Sequence, residues 1–170
     1  GTAPEPSSPE AWGVPPRAAD ALRNPVGTLS QRTRHDEAGA QFAQALALPA
    51  RRDSARTWLA QGVCQARAGK LDEAEKSLQR SYQMDPNNPS TSVNLAEVLL
   101  RRGEADRARF HIRRVNANNN YVSAQTLWLA ARIERRLGNN AGVKDLGEQL
   151  INRFPETREA VAFQRGRFDE

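Results

Sequence analysis

A repeat of 34 to 35 residues predicts an all-α fold built from antiparallel helix pairs. Gly69, Gly103 and Gly138 recur at this spacing. Small residues recur before and after each glycine at fixed positions; they are Gly62, Ala96 and Ala131 on one side, and Ala74, Ala108 and Val143 on the other. A period of this length with this pattern is the signature of the tetratricopeptide repeat (TPR), a helix-turn-helix unit. We therefore expect a right-handed TPR solenoid that ends in a C-terminal capping helix.

The clearest unit occupies residues 55–88. Gly62 and Ala74 lack bulk, which lets the two helices of the unit approach closely and bury their shared face. Gly69 supplies the positive φ angle that ends the first helix, and Pro86 ends the second because it has no N–H to donate. The spacing is therefore a packing pattern.

The next two units keep this pattern with local changes. Residues 89–123 end in an asparagine-rich run instead of a proline, and asparagine also favours a turn. Residues 124–155 carry Gly147 where the earlier units have leucine and isoleucine. We expect a local cavity or a tighter helix contact at that glycine.

The ends of the chain differ from the repeats. Six of the ten prolines lie between Pro4 and Pro25, which predicts a flexible tail or tether. After Pro155, Thr157 is a candidate N-cap for a helix that covers the last repeat. The predicted organisation is a tail at 1–24 and a TPR domain at 25–170, divided into an eroded or partial repeat at 25–54, repeats at 55–88, 89–123 and 124–155, and a capping helix at 156–170.

Catalysis finds little support in the sequence. His35 and His111 lie far apart and at no metal-ligand spacing, so each is interpreted as a surface or half-buried helix residue. The single cysteine, Cys64, is interpreted as a small packed hydrophobic residue. Residues 138–142 form a glycine-containing turn between helices, not a phosphate loop. We predict no enzyme activity and no catalytic, cofactor-binding or metal-binding residue.

The net charge of +5 raises the alternative of a nucleic-acid surface. The arginines are scattered over both helices of each repeat and are interleaved with 20 acidic residues. This arrangement favours a solvated helix surface, so we expect no nucleic-acid partner. Nucleic-acid binding would instead predict an affinity that falls steeply with salt.

A concave groove is the site that stacked helix pairs offer, because the first helix of each pair lines it. The groove should be apolar with an arginine-rich end, and should suit a peptide with a hydrophobic stretch and acidic residues. Trp128 is either the main anchor for this ligand or a packing residue between repeats. The residues predicted to face the groove are Leu59, Val63, Arg67, Val93, Asn94, Glu97, Arg101, Trp128, Arg132, Arg135 and Arg136.

Several stretches carry a family resemblance. They are Arg34–Ala38, Gly62–Cys64, Leu127–Arg135, and the tail from Arg153–Pro155 to Gly166–Glu170. Together they resemble the type IV pilus biogenesis and stability lipoproteins usually called PilW or PilF, over about residues 34–170. The tryptophan-containing arginine helix and the closing Gly-Arg-Phe-Asp-Glu are the more specific parts.

The resemblance implies a non-enzymatic protein that helps the pilus secretin assemble into multimers. Its partner would be an outer-membrane secretin or another pilus-assembly component. It implies a periplasmic, outer-membrane-associated location. The only membrane contact would be a lipidated cysteine, which is absent from this chain. The proline-rich start would then be the tether that follows the anchor.

A general TPR peptide-binding adaptor or chaperone cofactor, without a pilus role, is the alternative. The carboxylate clamp that binds chaperone tails has a lysine and an asparagine on the first groove helix. Leu59 and Val63 stand at those positions here, which argues against the chaperone-tail version.

Overall fold

The structure, a computed structural model, describes residues 51–169. Within that range there are seven helices and no strand. The predicted tail at 1–24, most of the partial repeat at 25–54, and His35 lie outside the described residues. The helices are α1 (Arg51–Arg67), α2 (Leu71–Met84), α3 (Pro89–Arg101), α4 (Ala105–Asn116), α5 (Ala124–Arg136), α6 (Asn140–Arg153) and α7 (Arg158–Gln164).

The chain divides into two compact units, Gly1–Thr91 and Ser92–Glu170. The described part of the first unit contains α1, α2 and the beginning of α3. The second unit contains the rest of α3 and helices α4 to α7. No helix within residues 51–169 is long and apolar enough to cross a membrane.

One turn motif follows α1, α3 and α5. After α1, the Gly69 N–H donates to the Ala66 carbonyl at 3.0 Å and the Lys70 N–H donates to the Gln65 carbonyl at 2.9 Å. This pair of bonds is the Schellman motif, which requires a left-handed residue at its glycine. Gly69, Gly103 and Gly138 have φ angles of 79°, 82° and 75°. The predicted role of these glycines is confirmed.

In the first unit, Gly62 of α1 packs against α2 with no room for a side chain. A Cβ atom at Gly62 would lie 2.6 Å from Leu78 Cγ and 3.4 Å from the Ala74 carbonyl oxygen. Ala74 and Leu78 are both fully buried. The predicted packing of small residues between the two helices is confirmed for this pair.

Buried hydroxyl groups join the three helix segments of the first unit. Ser81 Oγ on α2 donates to the Ala55 carbonyl of α1 at 2.7 Å, and lies 3.1 Å from Thr91 Oγ1 on α3. Ser77 Oγ donates to Gln65 Oε1 at 2.6 Å. These bonds satisfy polar groups that burial would otherwise penalise.

In the second unit, α5, α6 and α7 share an apolar core. The core residues are Leu127, Trp128, Ala131, Leu150, Ala160 and Ala162. Thr157 Oγ1 accepts a hydrogen bond from the Ala160 N–H at 3.2 Å, so the predicted N-cap is confirmed. The ring of Phe163 lies against Gly147, where even a Cβ atom would overlap it. Of the two expectations for Gly147, the tighter contact is the one observed.

The two single-residue expectations have different outcomes. Cys64 is buried in α1, as predicted. His111 is only 7% exposed, so the expectation of a surface or half-buried residue was wrong. The neighbouring Phe110 takes the outward position on α4 instead and is 57% exposed. Burial, together with the charges of Arg114 and Arg107, lowers the pKa of His111 below its usual value of 6.5.

Candidate functional site

A cleft of about 600 Å³ lies in the second unit between α3, α5 and the C-terminal segment. We call it the α3–α5 cleft. Its lining residues are Val93, Asn94, Glu97, Arg101, Gln125, Trp128, Leu129, Arg132, Arg158, Glu159, Ala162 and Asp169.

Helical spacing explains which side chains reach the cleft. On α3, Val93, Glu97 and Arg101 are four residues apart, so they share one face of the helix. On α5, Trp128 and Arg132 have the same spacing. A capping box fixes the beginning of α5. The Ser123 side chain accepts a hydrogen bond from the Thr126 N–H, and the Thr126 side chain accepts one from the Ser123 N–H.

Glu97 is the centre of the charge arrangement in the cleft. Arg132 donates from Nη1 to Glu97 Oε2 at 3.2 Å and from Nη2 to Glu97 Oε1 at 3.3 Å. Arg101 Nε donates to the same Oε1 at 3.3 Å. The lining as a whole contains three arginines and three carboxylates. Acidic side chains therefore balance the arginines within the cleft, and the expectation of an apolar groove with an arginine-rich end stays a prediction.

One N–H donor of the Arg132 guanidinium is not used in the pairing with Glu97. Its Nε atom is buried and has no hydrogen-bond partner among the described residues. A buried donor without an acceptor costs about 1–3 kcal/mol. The packing that holds Arg132 against Glu97 therefore carries this penalty.

Trp128 packs in the core beneath the C-terminal segment and is only 6% exposed. The ring of Phe168 lies 5.1 Å from the Trp128 ring, centroid to centroid, at an angle of 32°. The Arg135 guanidinium lies 4.3 Å from the centroid of the same Phe168 ring. Trp128 thus has the position that the packing alternative describes, and a contribution to partner binding stays a prediction.

The structure brings together six of the eleven predicted groove residues. Val93, Asn94, Glu97, Arg101, Trp128 and Arg132 line the α3–α5 cleft. Arg135 contacts Phe168 instead, and Arg136 is exposed and does not line the cleft. Leu59, Val63 and Arg67 belong to the first unit, where their four-residue spacing places them on one face of α1. That these residues bind a partner stays a prediction.

Comparison with known proteins agrees with this architecture. Residues 65–127 match the tetratricopeptide repeat family. The structure is similar to that of PilW, a widely conserved type IV pilus biogenesis factor, with a TM-score of 0.79 and 27% identity over 91% of this chain and 71% of PilW. The chain has a TPR fold. The predicted all-α fold class is confirmed by the helices and by these similarities.

Two further TPR structures are similar in fold at lower identity. PilF of Pseudomonas aeruginosa is 22% identical, with a TM-score of 0.74 over 92% of this chain and 70% of PilF. MamA from Desulfovibrio magneticus RS-1 is 17% identical, also with a TM-score of 0.74, over 89% of this chain and 86% of MamA. None of the curated proteins compared matches the sequence. The TPR fold is generally a non-enzymatic scaffold and supports protein partners.

Four cleft residues from the C-terminal part were missed by sequence reasoning. They are Arg158, Glu159, Ala162 and Asp169. The groove prediction considered only the first helices of the three repeats, although α7 was expected to cover the last repeat. A capping helix that packs on α5 necessarily lies beside the groove face of α5, and this was the available signal.

A second polar cluster joins α4 to α5 through a buried carboxylate. Glu134 is 4% exposed and accepts from Arg109 Nε at 3.0 Å, Arg109 Nη2 at 2.7 Å and Arg113 Nη2 at 3.2 Å. A cavity of about 330 Å³ adjoins it. Because breaking a buried pair leaves an uncompensated charge, this cluster fixes α4 against α5. No group of histidine, cysteine, aspartate and glutamate suited to a metal ion occurs within residues 51–169.

Proposed function

We propose that this TPR chain binds an extended segment of a partner protein in the α3–α5 cleft, and that it acts in type IV pilus biogenesis by promoting secretin assembly. The observation that carries the binding site is the cleft itself, in which α3, α5 and the C-terminal segment converge on Glu97 and Arg132. The similarity to PilW supports the pilus role. The sequence resemblance supports a periplasmic, outer-membrane-associated location.

The chemistry of the cleft defines the ligand. The apolar part of the cleft lining consists of Val93, Trp128 and Leu129. The pair of Arg132 and Glu97 offers hydrogen-bond donors and acceptors. An extended peptide that alternates apolar and polar side chains matches such a lining.

The pilus role is tested by measuring the affinity of the purified chain for purified pilus secretin. Arg132→Ala removes a guanidinium from the cleft, and Arg136→Ala removes an exposed one from the same helix outside the cleft. We expect Arg132→Ala to weaken binding about tenfold or more and Arg136→Ala to leave it nearly unchanged. Circular dichroism of both variants checks that α5 remains folded.

Equal affinities for the two variants would remove the cleft from the proposal. No binding of secretin by the wild-type chain would remove the pilus role.

A general adaptor is the second candidate, because the TPR fold supports binding of protein partners of many kinds. A chain that binds mixed apolar and acidic peptides but not secretin, and that loses this binding in Arg132→Ala, would support the adaptor.

A further inference from the structure

A second cavity lies on another face of α5. Helix α5 packs against both α4 and α6, and a cavity of about 330 Å³ lies where these three helices meet. We call it the α4–α6 cavity. On α5 its lining is formed by Ala130, Ile133 and Glu134, whereas Trp128 and Arg132 line the α3–α5 cleft. The two sites have no lining residue in common, so a ligand in one does not obstruct the other.

The buried wall of the α4–α6 cavity is apolar apart from one carboxylate. Ile112, Ala130 and Ile133 are buried, and Leu146 of α6 lines the same cavity and is half-buried. The carboxylate is that of Glu134, which already accepts hydrogen bonds from two arginines of α4. Ligand pockets in proteins begin at roughly 300 Å³. The cavity therefore has room for one apolar side chain of a larger partner.

The exposed rim of the cavity has opposite charges on its two sides. Arg113 of α4 pairs with Glu134, yet its side chain remains 65% exposed. Because Arg109 also pairs with Glu134, two guanidinium groups share one carboxylate, and the α4 side of the lining keeps a net positive charge. On the α6 side Asp145 is exposed, and its Oδ2 accepts from the neutral amide of Gln149 at 3.0 Å. The α6 side therefore keeps a negative charge.

We propose that the α4–α6 cavity is a second binding site, for a partner-protein segment in which an apolar residue stands between an acidic and a basic residue. The apolar side chain enters the cavity, the acidic residue lies over Arg113, and the basic residue lies over Asp145. A segment with two acidic or two basic residues meets a like charge on one side of the rim, which disfavours its binding. This site is independent of the proposed function, which concerns the α3–α5 cleft.

The test uses two synthetic peptides with blocked ends, Ser-Glu-Leu-Lys-Ser and Ser-Lys-Leu-Glu-Ser, so that either chain direction is represented. Each is titrated into the ¹⁵N-labelled full chain, and the backbone N–H signals of Ala117 and Gly142, which line the cavity, are followed by NMR. We expect at least one peptide to shift both signals with a Kd of about 1 mM, while the Trp128 indole signal stays unchanged. Peptides with serine in place of leucine should bind about tenfold more weakly, because the apolar contact is lost.

A charge reversal on the α6 side tests the role of the rim. Asp145→Lys should weaken binding of the peptide several-fold and should strengthen binding of Ser-Glu-Leu-Glu-Ser, since the rim is then positive on both sides. Glu148→Lys makes the same change in charge at an exposed position of α6 outside the cavity, and should have little effect. Arg132→Ala, in the α3–α5 cleft, should also leave peptide affinity unchanged.

A bulky side chain at the cavity tests its interior. Ala117 is exposed and lines the cavity, whereas Ala141 is exposed on α6 and does not. Ala117→Trp should abolish the peptide-induced shift at Gly142, and Ala141→Trp should preserve it. Circular dichroism checks that both variants keep their helices.

No shift of the Ala117 and Gly142 signals at about 10 mM of either peptide, or equal affinity for the serine-substituted peptides, would overturn the inference. Equal weakening in Asp145→Lys and Glu148→Lys would refute it too, because binding would then follow overall charge. Signals that move with protein concentration alone, and no longer do so in Ala117→Trp, would assign the cavity to a second copy of the chain instead. The proposed function is judged separately, by the secretin affinity of Arg132→Ala.

Discussion

At the scale of single residues, close packing leaves some positions without room for one methyl group. Gly62 is such a position, because a Cβ atom there would lie 2.6 Å from Leu78 Cγ and 2.8 Å from Leu78 Cδ2. Leu78 is fully buried, so it cannot turn toward solvent without leaving the core. Glycine is retained here for its small volume, whereas Gly69 is retained for its backbone angle.

Gly62→Ala should destabilise the first unit by about 1–3 kcal/mol, because the added methyl group forces Leu78 out of its packed position. Thermal or urea unfolding measures the loss. In a Leu78→Ala background the same substitution should cost much less, since the colliding side chain is gone. An equal cost in both backgrounds would mean that Gly62 and Leu78 do not meet.

His111 is a buried imidazole whose pKa is lowered by burial, Arg114 and Arg107. The unfolded chain, with a pKa near 6.5, takes up a proton at a higher pH than the folded chain does. Stability is therefore retained above the unfolded pKa and falls as the pH drops through it toward the lowered folded pKa.

We expect His111→Gln to reduce this loss of stability. Urea unfolding at about pH 7.5 and about pH 5.5 measures it, in a His35→Gln background so that His111 is the only histidine that titrates. The carboxylates contribute equally to both variants. A pH dependence that is unchanged by His111→Gln would show that the imidazole titrates alike in the folded and unfolded chains.

At the scale of elements, α7 is short and depends on one inserted side chain. Its Phe163 lies against Gly147 of α6, at a position where the other repeats carry a leucine or an isoleucine. A seven-residue helix has little stability of its own, so packing must hold it in place. Thr157 caps the N-terminus of α7, and an N-cap of this kind typically adds about 1 kcal/mol to stability.

Gly147→Ala should release α7 while leaving α5 and α6 paired, because the new methyl group occupies the space of the Phe163 ring. Hydrogen exchange should increase in Arg158–Gln164 and in Trp128, which α7 helps to cover. Glu148→Ala, at an exposed position on the same helix, is the control for exchange in α7. Unchanged protection of α7 in Gly147→Ala would contradict this packing.

Element positions could be predicted from the sequence, but side-chain partners could not. Gly69, Gly103 and Gly138 fix where the helices end because only glycine readily adopts the required φ, so periodicity was sufficient. The pairing of Glu97 with Arg132 is different, since many arginines lie within reach of any carboxylate in this chain. The place of Phe168 depends on the turn at Gly166, which falls outside the regular repeat spacing.

At the scale of the whole molecule, the apolar core and the α3–α5 cleft share residues. Trp128 belongs to the core of the second unit and also lines the α3–α5 cleft. The chain has a net charge of +5, yet several of its arginines pair with carboxylates. Arg132 pairs with Glu97, and Arg109 pairs with Glu134. Of the predicted groove residues, the six that line the α3–α5 cleft all belong to the second unit.

Trp128→Ala should lower stability by about 3–5 kcal/mol, because it removes a large buried side chain and leaves a cavity. Trp58→Ala is the matched control; Trp58 is half-buried in the first unit with Arg80 5.6 Å from its ring centroid, and it should cost less. Urea unfolding and affinity for secretin are measured together. Lost affinity with unchanged stability would identify Trp128 as a binding anchor and not a packing residue.

The left-handed turns have a consequence for chirality. Gly69, Gly103, Gly138 and Gly166 all have positive φ, and each has open space where a side chain would project. A D-amino acid prefers this backbone region for the same steric reason that an L-amino acid avoids it. Chemical synthesis with D-alanine at these four sites would therefore restrict the unfolded chain to a backbone region that the folded chain already uses, by about 0.4–1 kcal/mol per site. The mirror-image residue would be the better fit.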